Sequence, residues 1–180
     1  VRALPEALPS IEDLIKQADS PPPVKRNIEL TLYLLMATEE PISEAKLPDQ
    51  LQPVVRQLKN TFAYKGYHLL ETIVARARDG DEVRMSGAFP FRPADSSVAT
   101  QLKEAAGIYS SQCAVKLSAD EKGRIVSINR LRLDVSVPTL AASGKTEYQR
   151  TAISTNIDLR EGQMAVVGKT SADGSPNALI

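Results

Sequence analysis

The stretch GYHLLETIVARARDGDEVRMSGAFP, residues 66–90, decides the fold. Its apolar and polar side chains mostly alternate on either side of an Asp-Gly turn at 79–81, and a period of two is typical of half-buried β-strands. Asp-Gly turns commonly join antiparallel strands. The stretch therefore predicts a strand over 67–78 and a return strand over 83–91, paired as a hairpin.

The same period continues toward the end of the chain, so most of the protein is predicted to be antiparallel sheet. Small and polar residues at 139–146 indicate a loop, and 171–180 is interpreted as a loose tail. The further predicted strands cover 109–117, 124–137, 151–159 and 164–167, with turns at 119–123 and 160–162.

Ahead of residue 66 the pattern changes. Residues 27–38 are almost all apolar or β-favouring, which predicts a central strand covered on both faces. A helix is then predicted, with Pro53 in its first turn, from the helical spacing of Leu51, Val54, Val55, Leu58 and Phe62. A second, short helix is predicted over 97–106.

The N-terminal part is predicted to be a separate small element. Residues 10–19 read as a short amphipathic helix, and the prolines at 21–23 end it as a stiff spacer. We therefore divide the chain into an N-terminal helix with its proline spacer at 1–23 and a β-rich domain at 24–180. The predicted class is α+β, with about seven or eight strands and one or two packed helices besides the N-terminal one.

Composition excludes some classes of function. The 180 residues include 22 basic and 22 acidic side chains, eight aromatics and no Trp, so a basic stripe or a base-stacking platform for nucleic acid is not expected. The longest apolar run, 28–37, is well short of the roughly 20 residues that a membrane-spanning helix needs. We predict no nucleic-acid partner and no transmembrane helix.

Catalytic groups are scarce. His68 is the only histidine and Cys113 the only cysteine, and both fall in predicted strands, where a structural histidine and a small buried thiol are the simpler interpretation. One His and one Cys cannot form a zinc site. The acidic stretches 79–82 and 120–123 are too short for a calcium loop and are better explained as turns. We expect no catalytic residue, no metal and no cofactor.

Residues 162–170 resemble a phosphate-binding loop, but they have five residues between the glycines where that motif has four. Those five residues are apolar enough for a strand. Two other possibilities stay open. A soluble ligand-binding domain would use a pocket lined by Tyr67, Met85, Phe89, Phe91 and Tyr109, and a hydrolase would use a pair among Glu29, Glu71, Glu82, Asp134 and Asp158.

Two segments resemble landmarks of the bacterial secretins, a ring-forming outer-membrane family. Residues 11–37, IEDLIKQADSPPPVKRNIELTLYLLMA, are similar to the helix, prolines and first strand of the secretin C-terminal domain. Residues 155–168, TNIDLREGQMAVVG, resemble the strand, Gly-Gln turn and apolar strand near that domain's end. Lys169 stands where the family has a second glycine, and 170–180 do not carry the family's Pro-Gly-rich lip motif.

The resemblance implies a non-enzymatic envelope protein, periplasmic or outer-membrane-associated, in a secretion or pilus-type assembly. Its partners would be other proteins or further copies of itself. Unpaired strand edges offer the means of contact, since they can add a partner's strand. This is the predicted function, and the ligand-binding domain and the hydrolase are its alternatives.

Overall fold

The computed structural model describes residues 25–41, 47–91, 102, 105–171 and 177–180. A 3₁₀ turn (Asp49–Leu51) leads into the one α-helix of this part, α1 (Gln52–Thr61), which has Pro53 in its first turn as predicted. The strands are β1 (Asn27–Thr38), β2 (Gly66–Arg78), β3 (Glu82–Pro90), β4 (Ala106–Asp120), β5 (Gly123–Leu140), β6 (Thr146–Arg160), β7 (Thr170–Ser171) and β8 (Ala178–Leu179).

The strands form two antiparallel sheets of four strands each. Sheet A has the order β2-β1-β8-β7, and sheet B has the order β3-β4-β5-β6. The mostly antiparallel α+β class is thus confirmed, with eight strands. The described part of the chain holds one α-helix, where one or two packed helices were predicted.

The layers are helix, sheet A and sheet B. Between the sheets, even-numbered residues of β1 such as Leu34 meet Phe89 and Val135 in a buried cluster. On the other face of sheet A, Leu35 and Ala37 pack against Leu58 of α1. Alternate side chains of one strand therefore enter two different apolar layers, which explains why β1 is apolar on both faces.

The predicted pairing of the central hairpin is wrong. Strands β2 and β3 form where expected, but they belong to different sheets. The turn between them bonds to β4 instead: Gly80 N–H donates to the Val115 carbonyl at 2.9 Å, and Leu117 N–H donates to Asp79 Oδ1 at 2.8 Å. The turn is thereby anchored on sheet B, and the chain crosses from one sheet to the other.

Three further predictions are corrected. Ala106, predicted as a helix end, begins β4, and most of 97–106 lies outside the described residues. Residues 164–167 are not a strand, because they have no neighbouring strand to bond to. The end of the predicted loose tail is instead core: Ala178 and Leu179 are 0% and 1% exposed, since β8 lies between β1 and β7.

The predicted N-terminal helix and proline spacer, 1–23, lie outside the described residues. In the described part, no helix combines the length and apolar character required to cross a bilayer.

Candidate functional site

The single histidine and the single cysteine lie in different sheets, His68 in sheet A and Cys113 in sheet B. His68 is half-buried in β2 opposite Met36 of β1. Cys113 is 3% exposed in β4, and burial raises the pKa of its thiol. A higher pKa reduces the thiolate fraction, so Cys113 behaves as a small apolar residue of the interior.

Acidic residues of the two turns form ion pairs with basic side chains of other segments of the protein. Asp81 pairs with Lys25 at 2.7 Å, and Glu82 pairs with Arg130 at 2.9 Å. Asp120 pairs with Arg160 at 2.9 Å. Within the described ranges, no three or more His, Cys, Asp or Glu side chains are grouped so that they could hold a metal ion.

The candidate hydrolase carboxylates are dispersed over five strands. Glu29 bonds to Arg76 across sheet A, and Glu71 and Asp158 lie on β2 and β6. Asp134 is the most enclosed of them, and it accepts hydrogen bonds from Arg132 and Arg150. The hydrogen bond from Arg132 is the main reason that its pKa lies below the ordinary value, with Arg150 adding to it. Asp134 is therefore held as an anion between two guanidinium groups.

The five residues of the predicted ligand pocket do not meet. Tyr67 packs on the α1 side of sheet A, while Phe89 and Phe91 are buried between the sheets, with Tyr109 packed against them. Met85 alone among the five lines an apolar cavity that runs beside β1. The aromatic residues are core, and the predicted pocket is not formed.

The segment that resembles a phosphate-binding loop is extended and leads into β7 instead of a helix. Its Lys169 points its ammonium at two rings, 5.2 Å from the centroid of Phe62 and 4.8 Å from that of Tyr64. We call residues 163–168 the strap. Backbone groups of 164–168 make no hydrogen bond to any other described residue.

An apolar cavity of about 190 Å³ lies beside the strap and extends past β1 from sheet B to α1. Met164 and Val166 of the strap line this cavity and are 41% and 42% exposed. Ser111 is 4% exposed, and its hydroxyl has no partner among the described residues. Representative wall residues come from β1, α1, sheet B and the strap: Leu30, Leu32, Leu58, Leu131, Ile157 and Val166.

Strand β1 has an open backbone edge along this cavity. Asp79 N–H donates to the Arg26 carbonyl, and antiparallel pairs alternate, so even-numbered residues of β1 bond to β2 and odd-numbered residues point the other way. Among the odd residues, Leu35 is bonded to Ile180. The backbone groups of Glu29, Thr31 and Tyr33 on this edge have no partner in the described part of the chain.

The strap faces that open edge in register. Strand β8 pairs with β1 through Met36↔Leu179, and with β7 through Thr170↔Leu179. Followed past Ile180, neither ladder meets another described strand between β1 and the strap. We call the space between β1 and the strap the slot. It is bounded at one end by Ile180 and is lined by the apolar cavity.

A second open edge belongs to β6, the last strand of sheet B. Ala141 N–H donates to the Lys145 carbonyl and Glu161 N–H to the Arg124 carbonyl, at 2.9 and 3.3 Å, which sets odd-numbered residues of β6 toward β5. Even-numbered residues, such as Ala152 and Ser154, therefore turn their N–H and C=O groups outward. No other described strand pairs with them.

Sequence reasoning missed Ser111, the slot and the role of Ile180. A signal for the slot was present in the sequence. Residues 164–167 have a strand pattern, but with 171–180 interpreted as loose they had no neighbour to pair with, and such a strand pattern marks an empty place in a sheet.

Compared with family models, curated proteins and solved structures, the chain matches none.

Proposed function

We propose that the protein is a non-enzymatic, secretin-like component of a cell-envelope assembly, periplasmic or outer-membrane-associated, and that it acts through protein contacts. The open edge of β6 is the observation that carries this proposal. An unpaired row of backbone groups is a template for a partner's strand, and strand addition is a recurrent mode of protein recognition.

The β6 edge is long, and among the described strands none but β5 pairs with β6. The strand covers Thr146–Arg160, 15 residues, and contains no proline, a residue by which many edge strands are protected. In its middle, Ala152 and Ser154 are small and exposed, so another backbone can approach closely. The other edge of sheet B, β3, is shorter at nine residues and ends at Pro90, which has no N–H to donate.

The settings of the reactive groups support a role without catalysis. Cys113 is a buried thiol of raised pKa, and Asp134 is ion-paired on both sides. A general base needs a free lone pair near a substrate position, and a nucleophile needs an adjacent base. His68, on β2, is not among the residues that line the cavity.

Self-association through β6 is tested by light scattering on a size-exclusion column. We expect the wild-type chain to elute above the mass of one 19.5 kDa protomer, increasingly so with concentration. Ser154→Pro removes an outward N–H without removing a bond to β5, so it should shift the protein to the monomer. Ser154→Ala is the matched control and should associate like the wild type.

Ala152→Lys gives a second test that leaves the backbone unchanged, because a charge beside the edge disfavours strand addition. A wild-type chain that stays monomeric at every concentration, and whose exposed edge binds no purified envelope component, would contradict the proposal. Location is measured separately, by fractionating cells that make the native protein and comparing it with periplasmic and cytoplasmic markers. Recovery with the cytoplasmic marker would exclude an envelope role.

The ligand-binding alternative is favoured by a different observation, the apolar cavity with the Ser111 hydroxyl, which has no hydrogen-bond partner among the described residues. An apolar cavity of about 150 Å³ in another protein takes up benzene. If small molecules occupy this one, toluene should raise the melting temperature of the wild-type chain, and Ser111→Ala should leave that effect nearly unchanged, since toluene does not use the hydroxyl.

A further inference from the structure

We infer that sheet B carries a binding site for a tetrahedral oxyanion, a phosphate or sulfate group, on the face turned away from sheet A. The site is a pocket of about 310 Å³ on strands β3, β4 and β5, so it is distinct from the β6 edge and goes beyond the proposed function. Neighbours along the strands, such as Leu133, point into the interior instead. Six polar residues form most of the wall: Arg84, Ser86, Ser110, Gln112, Arg132 and Asp134.

The register of the three strands produces the pocket. Arg84 pairs with Gln112 and Gln112 with Arg132, so three long side chains stand in one row across β3, β4 and β5. In the next row on the same face, Ser86 pairs with Ser110. Directly opposite side chains of a sheet lie about 5 Å apart. A row of short side chains beside a row of long ones therefore leaves a depression with hydroxyl groups at its floor.

The donors of the pocket are not used elsewhere in the described part of the chain. There the side chains of Ser86, Ser110 and Gln112 form no hydrogen bond. The Arg84 guanidinium pairs with the Glu82 carboxylate at 3.7 Å, which is too long for a hydrogen bond, and the Arg84 side chain is 77% exposed. Two hydroxyls, an amide and a guanidinium fork are therefore available to one ligand.

The charge around the pocket is positive. Asp134 is held between two guanidinium groups, and its two oxygens accept four hydrogen bonds from them, at 2.8–3.2 Å. Glu82 is likewise shared by Arg84 and Arg130. Four guanidinium groups thus surround two carboxylates, which leaves two positive charges uncompensated on a chain whose net charge is zero. An anion is the ligand that this arrangement attracts.

The number and direction of the donors favour a tetrahedral oxyanion over a carboxylate. Arg84 and Arg132 stand on either side of Gln112, and Nη1 of Arg132 remains available, since Nε and Nη2 donate to Asp134. Two serine hydroxyls approach from the floor. A carboxylate has two oxygens in one plane, whereas phosphate and sulfate offer oxygens in several directions and also accept the paired N–H groups of arginine.

A nucleic-acid phosphate is not favoured. Among the described residues that line the pocket there is no aromatic side chain on which a base could stack. The shared chemistry of the expected ligands is therefore one phosphate or sulfate group, either as a free ion or as an ester on a small molecule.

The test is an NMR titration of the isotope-labelled 180-residue chain with inorganic phosphate, in which chloride is withdrawn to keep the ionic strength constant. We expect saturable shifts in the Nε–H signals of Arg84 and Arg132 and in the side-chain amide of Gln112. Glycerol phosphate is titrated in the same way. Tighter binding of the ester would identify a phosphate ester as the ligand, and tighter binding of inorganic phosphate would identify the free ion.

Arg84→Gln removes one guanidinium fork and one positive charge, and it should weaken phosphate binding about tenfold. Arg76→Gln is the matched control: Arg76 is an ion-paired arginine of sheet A whose side chain is 80% exposed, and its loss changes the net charge equally. We expect it to bind phosphate like the wild type. Arg84→Lys keeps the charge without the fork and should be intermediate.

Ser86→Val fills the floor of the pocket without changing its charge, so it should also weaken binding. Thermal unfolding checks that each variant is folded. If Ser86→Val fails to fold, the comparison of Arg84→Gln with Arg76→Gln still decides, because both replaced side chains are exposed.

Shifts that do not saturate, or equal binding by Arg84→Gln and Arg76→Gln, would overturn the inference, since either would show general attraction of anions to the surface. Acetate that binds as tightly as phosphate would contradict the choice of a tetrahedral oxyanion. A chain that stays monomeric but binds phosphate at Arg84 would keep this site and lose the β6 proposal, and the opposite result would do the reverse.

Discussion

Leu35 and Ile180 exchange both of their backbone hydrogen bonds, at 2.9 Å each, and form the last pair on that edge of β1. The short strand β8 precedes this pair, and its Leu179 is 1% exposed. Two residues of β8 thus join β1 to β7 and close one end of sheet A. Beyond them no other described strand pairs with β1 on this edge.

Leu179 should contribute strongly to stability, because it fills the inter-sheet core. Leu179→Ala is expected to lower the free energy of unfolding by about 2–5 kcal/mol. Urea denaturation measures it. Val74→Ala is the control, since Val74 is 58% exposed and its truncation should cost within about 0.5 kcal/mol. Equal effects of the two substitutions would contradict the buried position of β8.

Gly107 lies under the ring of Phe89, its partner in the β3–β4 ladder, and a Cβ there would overlap the ring. Phe89 is 1% exposed and cannot move aside, so Gly107→Ala should destabilise the protein by about 1–3 kcal/mol. Two residues along the same ladder, Gly87 lies under the ring of the half-buried Tyr109, which can shift. Thermal unfolding should rank Gly87→Ala as the milder change, and the reverse order would refute this packing.

Stability should fall at acidic pH through Asp134 and Asp120. Hydrogen bonds from Arg132 and Arg160 respectively are the largest cause of their lowered pKa values. A carboxylate whose pKa is lowered by folding stabilises the fold above its ordinary pKa of 3.8, and this contribution is lost as the pH falls through the lowered value.

Urea denaturation at several pH values from about 7 down to about 3 measures this loss. Asp134→Asn should be less stable than the wild type near pH 7, and its stability should fall less steeply below about pH 4. Parallel curves for the two proteins would show that Asp134 is not the group responsible.

Lys169 should hold the chain that follows the strap by its contact with the rings of Phe62 and Tyr64. Lys169→Met keeps the length of the side chain and removes its charge, and the expected cost is about 0.5–1 kcal/mol. Lys169→Arg keeps the cation and should cost less. If the Met variant matches the wild type in urea denaturation, the ring contacts do not contribute to stability.

Sequence patterns predicted the strands well where side chains alternate, as in β4 to β6, because burial of one face enforces a period of two. They failed where the fold depends on which strand pairs with which. The Asp-Gly turn was predicted to pair β2 with β3, but its amide and carboxylate groups bond to β4. Local pattern cannot reveal such a long-range anchor.

The candidate site was beyond prediction for a related reason. Residues 164–167 have the composition of a strand, yet strand formation requires a neighbour, and the neighbouring position is empty in the described chain. The burial of Ala178 and Leu179 could not be read from two residues at the end of a polar tail. The prediction that the chain has no catalytic residues rested on counting its His and Cys residues, and that count needs no structure.

Residue-resolved amide hydrogen exchange on β6 tests the central claim, that the protein makes its contacts by strand addition, most directly. In dilute monomer, odd-numbered amides such as those of Ile153 and Thr155 should be protected by β5, and the even-numbered amides of Ala152 and Ser154 should exchange rapidly. In the associated protein both sets should be protected. Rapid exchange at Ala152 and Ser154 in the assembly would contradict the account.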